Sequence, residues 1–273
     1  MNFAETEDQK MIREMVREFA ETVAGPTCEK RDKEQIAPIK EFKKFAELGF
    51  AGMTIPEQYG GQKLDDISEA IVIEELSRVD PSLGVMVAVH VGLCSMTIAL
   101  SGNETQKEKY LPKLASGEFL GAYSLSEAGS GTDAAAMVAK ATDDGDCYTL
   151  NGEKMWVTNG TTADLFVLFA KVTDHPDYGK KSHGGVTCFI IEKGFEGFQI
   201  GKKEDKLGIR SSDTCTLILN NCKVPKENVL GEVGKGFPIA MNALDNSRIG
   251  IAAQGLGIAQ GAYELSLIHI SEP

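Results

Sequence analysis

Two short stretches divide this chain, YSLSEAGSGTD at Tyr123–Asp133 and WVTNG at Trp156–Gly160. Upstream of them, apolar residues recur every three to four positions; around and beyond them the period is two, with frequent turn pairs. The first stretch gathers hydroxyl groups and two glycines, so it offers backbone N–H and Ser/Thr donors to a phosphate or to the polar edge of a ring. The second carries the single tryptophan of the chain two residues before Thr158. Together they indicate a ligand-facing site suited to a planar molecule.

Residues 1–118 carry only helical patterns and predict an all-α helical bundle as the N-terminal domain. The most apolar segment, Leu83–Leu100, contains His90, Gly92 and Ser95. These residues favour a buried bundle helix over a membrane span, which needs roughly 20 mostly apolar residues. Helices are predicted over 7–24, ended by the Gly25-Pro26 pair, and over 39–48, 67–79, 83–100 and 104–115.

Residues 119–232 alternate with a period of two and predict an antiparallel β-barrel or sandwich. The clearest strands are Leu165–Val172, Val186–Ile191 and Thr214–Leu219. Pairs such as Asn151-Gly152 and Asn220-Asn221 are typical of tight turns between strands. The middle of the chain is therefore a β-domain, and the whole chain belongs to the α+β multidomain class.

Residues 233–273 return to helical spacing and predict the first helix of a truncated C-terminal α-domain. Glycines recur along it, and each lowers helix propensity by about 1 kcal/mol relative to alanine, so the helix is expected to pack closely on another helix. The last residues, SLIHISEP, do not continue the pattern. We expect a C-terminally truncated chain whose residues after about 265 depart from the natural sequence.

Composition excludes several classes of function. The net charge of −12 argues against a nucleic-acid binder, which would carry a basic stripe. An anionic substrate would need a locally basic site.

The six cysteines are scattered, without C-x-x-C or a paired histidine, so neither a metal site nor a disulfide framework is predicted. The N-terminus MNFAETEDQK resembles no signal or transit peptide, which favours a bacterial cytoplasmic protein without a membrane segment.

Gly129-x-Gly131-x-x-Ala134 matches the dinucleotide-binding pattern only as a string of letters. That fingerprint requires a helix that begins at the loop within a βαβ unit, and an acidic turn follows too soon here. A nucleophile elbow is also excluded, because its first glycine is missing. On the residues alone, a ligand-binding loop and an ordinary Ser/Gly turn beside a half-buried tryptophan stay equally open.

Several motifs in order resemble the acyl-CoA dehydrogenase family. They are Leu125–Asp133, Trp156–Gly160, Lys203–Ser212, Val224-Pro225, Leu230-Gly231, Gly234–Phe237 and Leu244-Asp245-x-x-Arg248-Ile249-Gly250. The resemblance extends to about Leu265, and the last run is most similar to the short-chain, butyryl-CoA type. The family has a helical, a β and a second helical domain, in the order predicted above.

The resemblance implies an FAD site and an acyl-CoA site on named residues. Ser126 would bind the isoalloxazine edge, Thr132 the pyrophosphate and Thr158 flavin N5. Thr132 would also lie near the CoA ester, with Asp245 and Arg248 on the CoA moiety. The residues implied to line the cofactor are Tyr123, Leu125, Ser126, Gly131, Thr132, Trp156, Val157 and Thr158.

The activity implied is removal of the α-proton of a short-chain acyl-CoA with hydride transfer from Cβ to flavin N5. The family's base is a carboxylate, either far along the C-terminal domain or just before the arginine that corresponds to Arg248. Ser247 occupies that second position. Glu127 belongs to the loop scaffold, so the base is expected beyond the end of this chain, and no catalytic residue is assigned here.

Implied partners are short-chain acyl-CoA, an electron-transferring flavoprotein and, for the full-length protein, further copies in a homotetramer. Alternative interpretations are an acyl-CoA oxidase or flavin monooxygenase of the same fold, or a catalytically inactive fragment.

Overall fold

The structure is a computed structural model that describes residues 4–271, without the side chains of His269 and Ser271. Residues 4–115 fold into helices, as predicted. A π-helical turn, Ala20–Ala24, joins the first two, and a second π-helical segment, Val89–Ser95, joins the fifth and sixth. The α-helices are α1 (Glu7–Phe19), α2 (Gly25–Glu34), α3 (Ile39–Glu47), α4 (Asp66–Val79), α5 (Pro81–Ala88), α6 (Met96–Ser101) and α7 (Glu104–Ala115).

The predicted end of the first helix at Gly25-Pro26 is wrong, because the chain stays helical through this pair into α2. The π-helical turn explains why the proline is tolerated. The N–H of Gly25 donates to the carbonyl of Ala20, five residues back instead of four. This shifts the hydrogen-bond pattern of the helix just before Pro26, which has no N–H to donate. The glycine serves packing instead, since a Cβ on Gly25 would lie 3.1 Å from Val79 Cγ1 on α4.

The apolar segment predicted as a bundle helix forms one continuous helix, Pro81–Ser101. Among residues 4–271 it alone is long and apolar enough, by length and composition, to cross a membrane, and 72% of its most apolar window is buried inside the protein. Leu83, Val87 and Val91 are fully buried. This burial favours the interpretation as the central helix of the bundle.

The middle segment contains strands β1 (Gly121–Ser124), β2 (Lys140–Asp143), β3 (Cys147–Thr158), β4 (Leu165–Val172), β5 (Val186–Glu192), β6 (Phe198–Lys203), β7 (Thr214–Pro225) and β8 (Val229–Leu230). They form one mixed sheet in the order β6-β7-β3-β2-β4-β5-β8. Most pairings are antiparallel, as predicted, but β1 and β2 both run parallel to β4, along different parts of it. This places the end of β1 beside the core strand β4.

The predicted turns at Asn151-Gly152 and Asn220-Asn221 are wrong, because β3 and β7 run straight through them. The two pairs instead form a bulge where the register of β3 and β7 shifts. Asn221 N–H donates to Asn151 Oδ1 at 2.9 Å, and Gly152 adopts φ 145° against Ala139. Residue types that are typical of turns are thus used here in a β-bulge, because a bulge requires positive φ angles like those of a tight turn.

The long helix α8 (Gly236–Ser271) packs against α4. The predicted close helix packing is confirmed at Gly257 and Gly261, where a Cβ would lie 2.2 Å from Glu74 O and 2.1 Å from Arg78 O. Residues 266–271, where the helical pattern was expected to break, continue α8. The core of the β-domain and the central helix meet beneath the first half of α8, and this junction holds the candidate site.

Candidate functional site

A cavity of about 920 Å³ opens where the ends of β1 and β3, the π-helical segment and α8 come together. We call it the main cavity. Its polar wall is formed by the loop after β1 and by the end of β3. Its apolar wall is formed by Val89 and Leu93 of the π-helical segment and by Met241, Leu244 and Ile251 of α8.

Most of the predicted site residues line this cavity. They are Tyr123, Leu125, Ser126, Gly131, Thr132, Trp156, Thr158 and Arg248. Val157 and Asp245 do not line it. The Val157 side chain points into the hydrophobic core and is 1% exposed, whereas the Asp245 side chain is 75% exposed and contacts Arg248 Nε at 3.4 Å. Alternation along a strand separates Val157 from its neighbours, because successive side chains point to opposite faces.

Three hydroxyl groups on the polar wall are available to a ligand. Within the described residues, the side chains of Ser126, Thr132 and Thr158 make no hydrogen bond, although each lines the main cavity. Gly131 lies between them, and a Cβ built on it meets no atom within 4 Å. A ligand backbone or phosphate can therefore approach this loop closely.

Trp156 reaches the cavity because of an unusual backbone. It adopts φ 56°, in the left-handed region, at a bulge where the register of β3 and β7 shifts between Lys154 and Val157. A bulky residue in this region is an outlier that costs of order 1–3 kcal/mol, and such strain concentrates at functional sites. The indole is 58% exposed at the cavity edge, where it offers a flat apolar surface.

A buried ion pair supports the polar wall from behind. Lys154 Nζ donates to Glu127 Oε1 at 2.7 Å and to Leu125 O at 3.0 Å, and its side chain is fully buried. Glu127 also accepts from the backbone N–H groups of Val138 and Ala139, at 2.6 and 3.1 Å. Burial lowers the pKa of Lys154, and Glu127 opposes that shift. The carboxylate thus joins both ends of the loop to β3, and its oxygens are occupied by these partners.

The apolar wall was not predicted as part of the site. Phe237, Met241 and Leu244 lie one turn apart on α8 and face the cavity, and Tyr123 OH donates to Ala240 O at 3.4 Å across the junction. Their helical spacing was visible in the sequence. What the sequence could not show was which face of α8 meets the β-domain.

A second, smaller pocket lies beside the main cavity and is rich in lysine. It measures about 420 Å³, and Lys140, Lys171, Lys180 and Lys181 line it. We call it the lysine pocket. Lys181 pairs with Asp177 at 3.1 Å. Residues 132–135 line the main cavity and residues 136–138 line the lysine pocket, so one stretch of chain separates the two. In a chain of net charge −12 this is a locally basic site next to the candidate ligand cavity.

Comparison with known proteins finds three successive family matches along the chain. Residues 6–118, 122–222 and 234–273 match the acyl-CoA dehydrogenase N-terminal, middle and C-terminal domains. The short-chain specific acyl-CoA dehydrogenase of Clostridium acetobutylicum is 46% identical over 272 residues, which cover 100% of this chain and 70% of that protein.

Two solved structures are similar throughout. Butyryl-CoA dehydrogenase from Megasphaera elsdenii is 42% identical with a TM-score of 0.91, covering 96% of this chain and 68% of that one. An acyl-CoA dehydrogenase from Bacillus anthracis, complexed with FAD, is 39% identical with a TM-score of 0.88, covering 96% and 45%. With all three domain matches in order and this level of identity, the chain belongs to the acyl-CoA dehydrogenase family.

Proposed function

We propose that this chain binds FAD and a short-chain acyl-CoA in the main cavity and serves the α,β-dehydrogenation of the acyl group, with butyryl-CoA as the type of substrate. The observation that carries the proposal is the convergence of Ser126, Thr132 and Thr158, all with unpaired hydroxyls, beside the exposed ring of Trp156. The similarity to short-chain and butyryl-CoA dehydrogenases supports the choice of acyl group.

The residues of the polar wall fit FAD. Ser126 would bind the isoalloxazine edge, Thr132 the pyrophosphate and Thr158 flavin N5, with the Trp156 ring beside the flavin. A Cβ built on Gly131 meets no atom within 4 Å, so the phosphates could approach the backbone there. When bound, FAD supplies the hydride acceptor of the reaction. The protein contributes orientation, because the bulge at Trp156 and the Glu127–Lys154 pair hold these groups before the ligand arrives.

The remaining surfaces fit the acyl-CoA. The apolar wall of Val89, Leu93 and Ile251 offers a dry surface for the acyl chain, and Arg248 stands at the cavity for the CoA moiety. The lysine pocket offers positive charge to the phosphates of CoA, at the far side of residues 132–138. This arrangement supplies the basic site that an anionic substrate requires on an acidic protein.

Removal of the α-proton requires a carboxylate within hydrogen-bond reach of the substrate. Among the described residues that line the main cavity, the acid is Asp133, which is exposed on the loop. Ser247 occupies the position just before Arg248, and its hydroxyl donates to Leu244 O at 3.1 Å. Glu127 is bound by Lys154 and two amides. The proposal therefore places the base outside this cavity lining and expects ligand binding without turnover in the 273-residue chain.

FAD binding can be followed through Trp156, since it is the single tryptophan. We expect FAD to quench its fluorescence and butyryl-CoA to perturb the flavin spectrum without bleaching it. Thr158→Val should weaken FAD binding on the order of tenfold, the value of one hydrogen bond to the ligand. Thr105→Val, an exposed threonine of α7, is the matched control. Absence of FAD binding would refute the proposal, and bleaching that Asp133→Asn abolishes would instead assign the base to Asp133.

The lysine pocket can be tested separately. Lys171→Gln combined with Lys180→Gln should weaken butyryl-CoA binding about tenfold at low ionic strength, and less at high salt, because exposed charges are screened over about 8–10 Å. Lys33→Gln, a lysine paired with Glu29 on α2, should leave binding unchanged. Equal binding by all three proteins would remove the lysine pocket from the substrate site.

We also propose that an electron-transferring flavoprotein accepts the electrons from the reduced flavin. We further propose that the protein self-associates into a homotetramer. Apolar side chains exposed along α8 outside the cavity, including Leu256, Tyr263 and Leu265, support association of this helix with further apolar surface. Stopped-flow reoxidation of the photoreduced flavin by this partner or by air distinguishes a dehydrogenase from an oxidase. Light scattering measures the oligomeric state.

A further inference from the structure

Glu69 is a carboxylate that the site described above does not use. It lies in the first turn of α4, partly buried, and within the described residues its carboxylate makes no hydrogen bond and no ion pair. Its Oε1 is 3.2 Å from the position of a Cβ built on Gly92 and 3.9 Å from one built on Gly250. The carboxylate therefore lies at the crossing of the π-helical segment and α8.

That crossing forms part of the apolar wall of the main cavity. Val89 and Leu93 line the cavity on either side of Gly92 along the chain, and Ser247 and Ile251 do so on either side of Gly250. Ser247 Cβ lies 3.8 Å from the same Cβ position at Gly92 that Glu69 Oε1 approaches. Because residues 92 and 250 are glycines, neither places a side chain between the carboxylate and the cavity.

The charge of Glu69 is not neutralised by its surroundings. The titratable neighbour that acts on it is another acid, Asp66 of the same helix, and no lysine or arginine pairs with it among residues 4–271. Burial and this repulsion raise the pKa of Glu69 to about 7. A negative charge held in a poorly solvated place exerts a field that water screens only weakly.

We propose that Glu69 is a specificity-determining residue, which restricts this site to acyl-CoA substrates whose acyl chain carries no negative charge at its far end. The inference rests on the proposed function. An acyl chain along the apolar wall brings its end toward the crossing of the two helices. A terminal carboxylate there would face the like charge of Glu69, whereas a methyl group would not. Glu69 can relieve this repulsion by taking up a proton, at a cost set by its pKa of about 7, so the like charge can weaken binding at pH 8 by up to about tenfold.

The test compares three ligands on the intact 273-residue chain loaded with FAD. Dissociation constants are measured by calorimetry at pH 8 for butyryl-CoA, hexanoyl-CoA and glutaryl-CoA, the last of which ends in a carboxylate. We expect glutaryl-CoA to bind about five- to tenfold more weakly than hexanoyl-CoA at pH 8, where most of Glu69 is ionised. Glu69→Gln keeps the size of the side chain and removes the charge, so it should reduce that ratio to about threefold or less. Glu69→Asp, which keeps the charge, should retain most of the discrimination.

The outcomes are distinguishable. If the wild-type chain binds none of the three ligands, the proposed function fails and this inference fails with it. If butyryl-CoA binds but glutaryl-CoA binds as tightly as hexanoyl-CoA, the inference alone is overturned, whether or not any variant folds. The inference is likewise overturned if Glu69→Gln discriminates as strongly as the wild type. Thermal unfolding of each variant shows that it is folded, and Glu69→Gln is expected to unfold at an equal or higher temperature because an unpaired charge is lost.

Discussion

The two walls of the main cavity are built in different ways. The polar wall is a loop and a bulged strand end, held by buried polar groups: the Glu127–Lys154 pair, and the side chain of Asn159, which donates to Met86 O and Gly121 O. The apolar wall is held by close helix packing, in which glycines of α8 admit the backbone of α4. The polar wall depends on buried charges that are paired, whereas the apolar wall depends on glycines that have no side chain. Different substitutions should therefore destabilise the two walls.

Lys154→Met should give the largest effect. It leaves the Glu127 carboxylate buried without its cation, a change that typically costs about 3–5 kcal/mol of unfolding free energy. Urea denaturation measures the loss. The double variant Lys154→Met with Glu127→Gln removes the stranded charge and should recover a large part of it. If the double variant is as unstable as the single one, the pair is not what supports the polar wall.

His90 lies where the two walls meet, because it joins the π-helical segment to β1. Its ring joins Leu114 O and the N–H of Gly121, and burial lowers its pKa to about 4 from 6.5. The unfolded chain therefore binds the proton first, so stability contributed by neutral His90 is complete above pH 6.5 and is lost as the pH falls toward 4. A shift of this size corresponds to about 3 kcal/mol across that window.

The measurement is the free energy of unfolding between about pH 4 and 7.5, for the wild type and for His90→Gln. The variant should be less stable at neutral pH but should have a shallower dependence between pH 6.5 and 4. Parallel curves for the two proteins would contradict a neutral, buried His90.

Gly257→Ala tests the apolar wall alone. Its Cβ would lie 2.2 Å from Glu74 O, so α8 must shift away from α4, at a cost of about 1–3 kcal/mol. Gly255→Ala is the matched control on the same helix. A Cβ there meets nothing within 4 Å, so the better helix propensity of alanine should stabilise the protein by up to about 1 kcal/mol. The two variants should change the free energy of unfolding in opposite directions. Equal changes would argue against close packing at Gly257.

Trp156→Phe should have the smallest effect on folding. The side chain is 58% exposed, so the unfolding free energy should change by no more than about 0.5 kcal/mol. FAD affinity, measured by flavin fluorescence, should fall severalfold as the larger ring is lost. A large loss of stability with unchanged FAD affinity would make Trp156 a structural residue of the polar wall.

Sequence patterns predicted much of this molecule where the signal is local. Strand Leu165–Val172 and the apolar helix around Leu83–Leu100 were recognisable, because burial on all sides demands an unbroken apolar run. The predictions were wrong where the same residue types are compatible with two different local structures. Asn151-Gly152 and Gly25-Pro26 are typical of chain reversals, yet here one forms a bulge and the other follows a π-helical turn.

The candidate site divides in the same way. Hydroxyls in a short glycine-rich stretch, next to the single tryptophan, indicated a ligand loop from local composition. Three features of the site could not be predicted from the sequence: the partners of Glu127, the lysine pocket, and the position of Glu69 beside the cavity. Each depends on contacts between residues that are far apart in the sequence. Lys154 stands 27 residues from Glu127, and no pattern links them.

Local periodicity and motifs were enough to predict the order of the helical and β segments and the family to which the chain belongs, and they led to the hypothesis of a ligand loop at Tyr123–Asp133. Three features became visible in the folded chain alone: the charges that are buried together, the face of α8 that closes the cavity, and the unpaired carboxylate of Glu69 beside it. Burial and electrostatic pairing depend on distances through space, and packing between distant segments sets those distances.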